Sequence, residues 1–363
     1  MDLSTATGDS DPVSQAVRRP FTIKDVARMA GVSPATVSMA LADSPRVAER
    51  TRLAVRHAAD QLDYVPNSMG RGLRAQRLDA IALVIPLQSE EVFSHPYFME
   101  ILQGISEVAD DADFTLVLST SRGNEDDSAY RKLLRSRRAD GVIVASAATA
   151  DRNLDRLVAS GYPVVYLGRY PHDTSVCTVA IDDHGGAATA VSHLVENHAR
   201  RRVAHLAGPL DHLAFYDRFE GYRAALGRAG LPHDERLVVS TGDDASEAAG
   251  EAACAQLLRA GVPFDGIFTG DDEIALGAMR ALRGTGRQVP DDVSVASFDD
   301  IRVASVHRPA LTTVRQPMRE TGRLAARRLL ALLAGETPEP TQIVLPTELV
   351  VRTSCGCTRV NAE

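Results

Sequence analysis

Two short amphipathic patterns near the N-terminus predict a pair of helices joined by a glycine. Thr22 stands three residues before the carboxylate of Asp25, a spacing close to a capping box, and apolar residues follow it at helical intervals. Gly31 supplies a tight turn, Ser33 is a suitable cap, and Pro34 fits a first turn whose N–H has no intrahelical partner. We therefore expect one helix after Thr22 and a second after Ser33.

The second helix has an apolar stripe and a face left to solvent. The stripe consists of Val37, Ala40 and Leu41. The opposite face carries Ala35, Thr36, Ser38 and Met39. A third helix over roughly 48–62 completes a core, and its inward positions are Leu53 or Val55, Ala58, Ala59 and Leu62. This pattern predicts a helix-turn-helix that sets its second helix in the major groove of DNA, although a plain helical hairpin shares it.

Beyond residue 80, short apolar runs alternate with amphipathic helical stretches. The runs are 81–86, 115–118, 141–145, 164–167, 203–206, 266–269 and 293–297. That alternation predicts an α/β body with parallel sheets. About 280 residues exceed what one doubly wound sheet needs, so we expect two lobes with a cleft between them.

Charge is distributed unevenly along the chain. The whole chain carries a net charge of −8, yet residues 16–78 hold 11 basic residues against 5 acidic ones. A basic module joined to an acidic body suits a protein whose one end neutralises phosphates while the remainder stays dissolved. The arrangement favours nucleic acid as a partner, with a chance cluster as the alternative.

Composition excludes several classes. No run of about 18 apolar residues occurs and the first 15 residues have no apolar core, so we expect no membrane span, no secretory signal and a cytoplasmic location. Four scattered cysteines are too few for a disulfide framework. Cys355 and Cys357 flank one glycine, but we interpret them as inert thiols, and we expect neither a metal site nor a cofactor.

The N-terminal motifs resemble those of one family. Residues 22–38, Thr-Ile-Lys-Asp-Val-Ala-Arg-Met-Ala-Gly-Val-Ser-Pro-Ala-Thr-Val-Ser, followed by Tyr-Val-Pro-Asn at 64–67, are similar to the DNA-binding module of LacI/GalR transcriptional regulators. The resemblance implies that Pro34, Ala35 and Met39 read base edges. It also implies that Ser33, Thr36 and Ser38 hold phosphates and that Thr22 is a further DNA-binding residue. Met39 departs from the arginine that many members carry, because methionine offers only apolar contact, for example to a thymine methyl.

Residues 67–74 resemble the hinge helix of that family. Leu73 matches the leucine that each subunit wedges into the minor groove, and Asn67, Arg71 and Arg74 match positions beside the DNA. Two glycines and the short length disfavour an isolated helix, so we expect a segment that orders on DNA. A flexible linker without a DNA role is the alternative.

The body resembles the two-lobed periplasmic-binding-protein-type sensor of the same family. We therefore expect an all-α helix-turn-helix head joined to an α/β two-lobed body, with crossings between lobes near residues 197, 316 and 346. The expected division is a flexible tail (1–20), the head (21–65), a hinge helix or linker (66–78), and an effector-binding and dimerisation body (79–360) whose first lobe is 79–197 with 317–345 and whose second is 198–316 with 346–360.

By the same resemblance, the residues that contact an effector are Tyr97, Phe98, His212, Arg218, Phe268, Asp271 and Asp299. Carboxylates, a guanidinium and aromatic rings suit a sugar. Purine-binding members place an arginine at position 212 and a glycine at position 271, so we favour a sugar over a purine. Five of these residues also have a structural interpretation: Phe98 and Phe268 as core, Asp299 as a helix cap, and Tyr97 and His212 as surface.

Two other functions compete with regulation. The paired carboxylates at 182–183, 271–272 and 299–300 suggest an enzyme, but adjacent strand residues face opposite ways and no phosphate loop or nucleophile elbow occurs. A solute-binding protein without a regulatory role would share the body but would need a signal peptide and no basic head. We therefore expect a repressor that binds a pseudo-palindromic double-stranded operator as a homodimer, controlled by a small molecule.

Overall fold

The computed structural model describes residues 21–64, 78–121, 128–136 and 138–358. The chain divides between residues 76 and 77 into two compact units, here called the head and the body. The predicted tail, 1–20, and all but the last residue of the predicted hinge, 66–78, lie outside the described residues. No helix in the described part is both long and apolar enough to cross a bilayer.

The described part of the head, 21–64, contains α1 (Ile23–Ala30), α2 (Pro34–Leu41) and α3 (Glu49–Gln61). The carboxylate of Asp25 accepts hydrogen bonds from the backbone N–H of Thr22, at 2.9 Å, and from its hydroxyl, at 2.7 Å. Gly31 ends α1 with φ +66°, a left-handed conformation that glycine adopts without a steric cost. The Ser33 hydroxyl accepts from the Thr36 N–H at 3.1 Å and so caps α2.

The core of the head is small and apolar. Its buried members are Val26, Ala27, Val37, Ala40, Val47, Val55, Ala58 and Ala59. Of the two alternatives for α3, Val55 faces the core, whereas Leu53 is 57% exposed. The small residues let the three helices, of 8 to 13 residues, pack closely. Helices this short are marginally stable in isolation, so this packing stabilises them.

The body contains two sheets. Its strands are β1 (Ala80–Gln88), β2 (Thr115–Ser121), β3 (Gly141–Ala145), β4 (Val164–Leu167), β5 (Cys177–Ile181), β6 (Val203–Ala207), β7 (Val238–Ser240), β8 (Gly266–Thr269), β9 (Ser294–Asp299), β10 (Thr312–Arg315), β11 (Gln342–Leu345) and β12 (Glu348–Val350). The first sheet has the order β11-β5-β4-β3-β1-β2 and the second β12-β10-β9-β8-β6-β7. The pairs are parallel except β10 with β12.

Helices cover both faces of these sheets, as parallel strands require. They are α4 (Ser89–Ser94), α5 (Pro96–Asp111), α6 (Ser128–Ser136), α7 (Arg152–Ala159), α8 (Asp183–Ser192), α9 (Leu213–Arg228), α10 (Glu247–Arg259), α11 (Asp272–Gly284), α12 (Arg302–Val306) and α13 (Met318–Leu333). A π-helical turn, His193–Asn197, continues α8, and a 3₁₀ turn, Glu235–Leu237, precedes β7. Each sheet and its helices form one lobe.

The first crossing between lobes lies earlier than the expected position near 197. The strand β5 ends at Ile181 in the first sheet, and α8 then packs on α9 and on β9, β10 and β12 of the second lobe. Residues 183–197 therefore belong to the second lobe, and the boundary at 197 is wrong. The other crossings lie at 316–317, between β10 and α13, and at 346–347, between β11 and β12.

A neutral histidine is part of the core of the second lobe. His205 on β6 is fully buried, stacks on the rings of Phe219, Tyr222 and Phe268, and approaches the Phe268 carbonyl to 3.0 Å through Nδ1. Its Nε2 atom has no hydrogen-bond partner. Burial lowers the pKa of His205 to about 4, against the opposing effect of the Phe268 carbonyl.

This burial predicts a pH dependence of stability. Between pH 6.5 and 4 the unfolded chain binds a proton at His205 that the folded chain excludes, so the free energy of unfolding falls as pH falls, by about 3 kcal/mol from this residue. In His205→Gln, which keeps a donor but does not titrate, we expect that part of the decline to vanish in urea titrations across this range. The exposed His172→Gln is the matched control and keeps the decline; an unchanged slope in His205→Gln would contradict the assignment.

Candidate effector pocket and nucleic-acid interface

The head exposes the face of α2 that the sequence predicts to meet DNA. Ser33, Pro34, Ala35, Ser38 and Met39 are exposed, as is Thr22, and Thr36 is half-buried beneath its bond to Ser33. The orientation follows from the core, because Val37 and Ala40 bury the opposite side of the helix. Asn67, Arg71, Leu73 and Arg74 lie outside the described residues, and their roles stay predictions.

A cleft in the body lies where the carboxyl ends of the parallel strands of both lobes meet, the usual place for a ligand in open α/β sheets. It encloses about 880 Å³ of empty space, part of which opens to solvent. Its walls include six of the seven predicted effector residues, namely Tyr97, Phe98, His212, Arg218, Asp271 and Asp299. The first two belong to the first lobe and the other four to the second, so an occupant would touch both lobes.

The seventh predicted effector residue, Phe268, does not line the pocket. It lies on β8, is fully buried, and stacks on His205 in the core of the second lobe. Phe215 lines the pocket instead. It stands three residues after His212 and three before Arg218, so helical spacing from those two residues could have found it.

Arg218 on α9 is the centre of a buried ion cluster. Its Nε donates to Asp183 Oδ1 at 2.8 Å, and its Nη1 donates to the Gly270 carbonyl at 2.7 Å and lies 3.3 Å from Asp299 Oδ1. The guanidinium carbon lies 3.8 Å from the centre of the Phe298 ring. Burial opposes the charge of Arg218, but Asp183 and Asp299 outweigh it and raise its pKa.

In the two carboxylates, Asp183 and Asp299, the effect of burial on the pKa outweighs that of the opposite charge. Burial raises the pKa of Asp183 to about 6 although Arg218 lowers it. Burial also raises the pKa of Asp299, with Asp271 adding to the rise and Arg218 opposing it. Asp299 ends β9 with φ +111°, a region that costs a non-glycine residue of order 1–3 kcal/mol, and it accepts a 2.5 Å hydrogen bond from Gln316. The surrounding contacts hold this strained residue in the wall of the pocket.

Asp271 lines the pocket, and one of its carboxylate oxygens lacks a hydrogen-bond partner. Its Oδ1 accepts from the Ile274 N–H at 2.8 Å and caps α11, whereas its buried Oδ2 has no hydrogen-bond partner. The nearest cation is His95, whose Nε2 lies 3.8 Å from Oδ2. A buried acceptor without a partner is costly, so this oxygen is suited to a donor from a bound molecule.

His95 is a pocket residue that the sequence predictions missed. It precedes Pro96 and caps α5 by accepting the Tyr97 N–H at 3.3 Å through Nδ1. Burial opposes its protonation, but Asp271, with Asp299 and Glu273, raises its pKa to about 9. Its place directly before the predicted Tyr97 was the one available signal.

Aromatic rings form the wall of the pocket on the first lobe. Tyr97 and Phe98 meet edge to face with their ring centres 5.1 Å apart. On the opposite side, His212 stands at the start of α9, where burial lowers its pKa against the charges of Asp211 and Asp243. The pocket therefore combines ring faces from one lobe with carboxylates and a guanidinium from the other.

Two groups of side chains in the described ranges have the ligand atoms to hold a metal ion. One is His95 with Asp271 and Asp299, inside the pocket. The other, His193, His198, Cys355 and Cys357, belongs to the second lobe and does not line the pocket.

Comparison with known proteins identifies the family. Bacterial regulatory proteins of the lacI family match residues 22–67, and a periplasmic binding protein-like domain matches residues 191–355. The HTH-type transcriptional regulator CelR of Thermobifida fusca is 39% identical over 340 residues, which cover 93% of this chain and 98% of CelR. The chain belongs to the LacI family of bacterial regulatory proteins.

Solved LacI-family structures share the whole architecture. The complex of the transcriptional regulator CelR with cellobiose has 38% sequence identity and a TM-score of 0.72, and the match covers 93% of this chain and 100% of that one. The lac repressor dimer bound to operator and the anti-inducer ONPF has 27% identity and a TM-score of 0.81, over 93% of this chain and 99% of that one. The predicted family and fold class are confirmed, and membership makes this LacI-family chain a DNA-binding transcriptional regulator and not an enzyme.

The ion cluster predicts a large stability effect. Arg218→Met removes the guanidinium that pairs with the two buried carboxylates, Asp183 and Asp299, and should lower the free energy of unfolding of the body by about 3–5 kcal/mol in denaturant titrations. Adding Asp183→Asn should restore part of that loss, since one unpaired charge is removed. Arg223→Met, on the exposed side of the same helix, should cost under about 1 kcal/mol. Losses that simply add in the double variant would show that the two residues are not coupled.

Proposed function

We propose that this LacI-family regulator is a repressor that binds a pseudo-palindromic operator as a homodimer and takes a sugar, first of all a disaccharide of glucose, as its effector. The observation that carries the proposal is Asp271 Oδ2, which has no hydrogen-bond partner and lies 3.8 Å from His95 Nε2, in a pocket with buried carboxylates and aromatic rings. An operator is reached in the cytoplasm, so the proposal includes that location.

The chemistry of the pocket suits a polyhydroxylated molecule. Carboxylates accept hydrogen bonds from pairs of hydroxyls, and Asp271 and Asp299 are buried carboxylates of the second lobe that line the pocket. Tyr97, Phe98 and Phe215 offer ring surface to the C–H face of a sugar ring.

One relative favours a disaccharide. The CelR structure, at 38% identity, is a complex with cellobiose. Cellobiose is therefore the first probe, and other disaccharides, monosaccharides and purines are the comparison set.

Control of DNA binding follows from the two-lobed contact. A sugar that touches Tyr97 and Phe98 on one side and Asp271 and Asp299 on the other binds the closed arrangement of the lobes better than the open one. That difference in affinity is the whole of the coupling, about 1–3 kcal/mol, or about 5- to 150-fold in operator affinity. Two heads bind two half-sites, so a dimer matches the two-fold symmetry of an operator.

The pocket assignment predicts the effect of one atom. Asp271→Asn keeps the cap of α11 through its remaining oxygen but replaces the free carboxylate oxygen by an amide nitrogen. We expect cellobiose affinity, measured by titration calorimetry, to fall by about 10- to 100-fold, the worth of a hydrogen bond to a charged group. Asp291→Asn, exposed on the same lobe, should leave Kd unchanged. Binding of a purine in place of any sugar would overturn the proposed effector class.

The exposed face of α2 predicts a separate effect on DNA. Met39→Ala should weaken binding to an operator selected from random DNA duplexes by about 10-fold or more, because an apolar base contact is lost. Its affinity for random duplex at the same salt concentration should change little. Met29→Ala, an equally exposed methionine on α1, is the control. Fluorescence anisotropy measures both, and equal losses on operator and random DNA would show that Met39 does not read bases.

A further inference from the structure

Four potential metal ligands converge in the second lobe, outside the effector pocket. His193 and His198 come from the π-helical turn that follows α8, and Cys355 and Cys357 come from the turn at the C-terminal end of the described chain. About 160 residues separate the two pairs in sequence. Cys355 is fully buried and the other three are half-buried.

The separations between the ligand atoms match the edges of a metal-centred tetrahedron. The two Nε2 atoms lie 3.2 Å apart, His193 Nε2 lies 3.4 Å from Cys355 Sγ and 3.7 Å from Cys357 Sγ, and His198 Nε2 lies 3.3 Å from Cys357 Sγ. The four atoms all lie within 4.8 Å of one another. Zinc with bonds of about 2.0–2.1 Å to nitrogen and about 2.3 Å to sulfur gives edges of about 3.3 Å between nitrogens and about 3.6 Å from nitrogen to sulfur.

The backbone on the histidine side has an unusual form that brings its two ligands together. In an α-helix, residues five apart point about 140° away from each other. A π-helical turn, with its i→i+5 pattern, brings such residues onto one side. His193–Asn197 is π-helical, and His198 follows at its end, so both imidazoles face the same point.

The cysteine side is equally specific. Gly356, between the two cysteines, has φ +109°, and a Cβ there would lie 3.1 Å from His198 Nδ1. Only glycine combines that conformation with that approach. Cys355 Sγ accepts a 3.1 Å hydrogen bond from the Thr312 hydroxyl, and its carbonyl accepts one from Ser294 at 2.6 Å. These outer contacts orient the sulfur, as they do around metal sites.

We propose that His193, His198, Cys355 and Cys357 bind one Zn²⁺ ion. Two imidazoles and two thiolates in a tetrahedron are the ligand set that this metal prefers, and four protein ligands leave no open position, which makes the site structural. Its effect would be to fasten the C-terminal turn, beyond β12, to the end of α8. Two arrangements of the same residues compete with it: a metal-free hydrogen-bond network and a disulfide between the two cysteines.

Zinc content of the full-length protein tests the proposal. Protein purified without chelator and dialysed against metal-free buffer should hold one zinc per chain by inductively coupled plasma mass spectrometry. Replacement by Co²⁺ should give the strong visible absorption of a tetrahedral site together with a near-ultraviolet thiolate band. The readout is independent of sugar and DNA binding, so its outcome does not depend on the proposed function.

Matched variants locate the site. Cys357→Ser and His198→Gln, at half-buried positions, should each lose the zinc and the cobalt spectrum, whereas Cys254→Ala and His172→Gln should keep both. Chelator should lower the Tm of the parent protein but not that of Cys357→Ser, which separates metal loss from misfolding. Parent protein that takes up no zinc, variants that bind it as tightly as the parent, or a mass two hydrogens lower with Cys355 joined to Cys357 would each overturn the proposal.

Discussion

The cost of burying charge shapes the body more than any other constraint. Arg218 is 5% exposed, and its ionisation holds only because Asp183 and Asp299 lie within 3.3 Å of it. Asp183 reaches it because α8 belongs to the second lobe, and Asp299 reaches it because β9 ends in a left-handed residue that Gln316 secures from the crossing segment. The path of the chain at the cleft thus follows from the need to neutralise one guanidinium.

The same constraint separates the side chains that hold the pocket together from those left for a ligand. Arg218, Asp183 and Asp299 make hydrogen bonds within the protein, whereas Asp271 Oδ2 makes none and has only the His95 imidazole nearby, at 3.8 Å. The family resemblance places Arg218 among the residues that contact an effector. In the structure the protein itself supplies two anions to Arg218, Asp183 and Asp299. Under the proposed function, Asp271 and His95 are therefore the groups left to bind the effector.

Much of the fold could be predicted because its signals are local. The first two helices of the head are marked by signals within a dozen residues, namely the caps at Asp25 and Ser33 and the turn at Gly31. The strands of the body are marked by apolar runs. The failures are non-local. The helix α8 is rich in glycine and alanine and is buried on several sides. Its sequence therefore has no single apolar face that could indicate which lobe it packs against. The sequence around Phe268 is compatible with either a ligand contact or a core position. The two histidines and the two cysteines are about 160 residues apart, so their spacing in the sequence does not indicate that they meet.

The three crossings carry a mechanical consequence. At residues 182, 316–317 and 346–347 the chain passes between lobes in segments of one or two residues, each fixed at both ends by a strand or helix. Because these segments are so short, sliding or separating the lobes would disrupt the strands and helices at their ends, whereas rotating one lobe against the other changes only a few backbone dihedral angles. We therefore expect the lobes to move by rotation, so that a molecule bound in the cleft sets the angle between them.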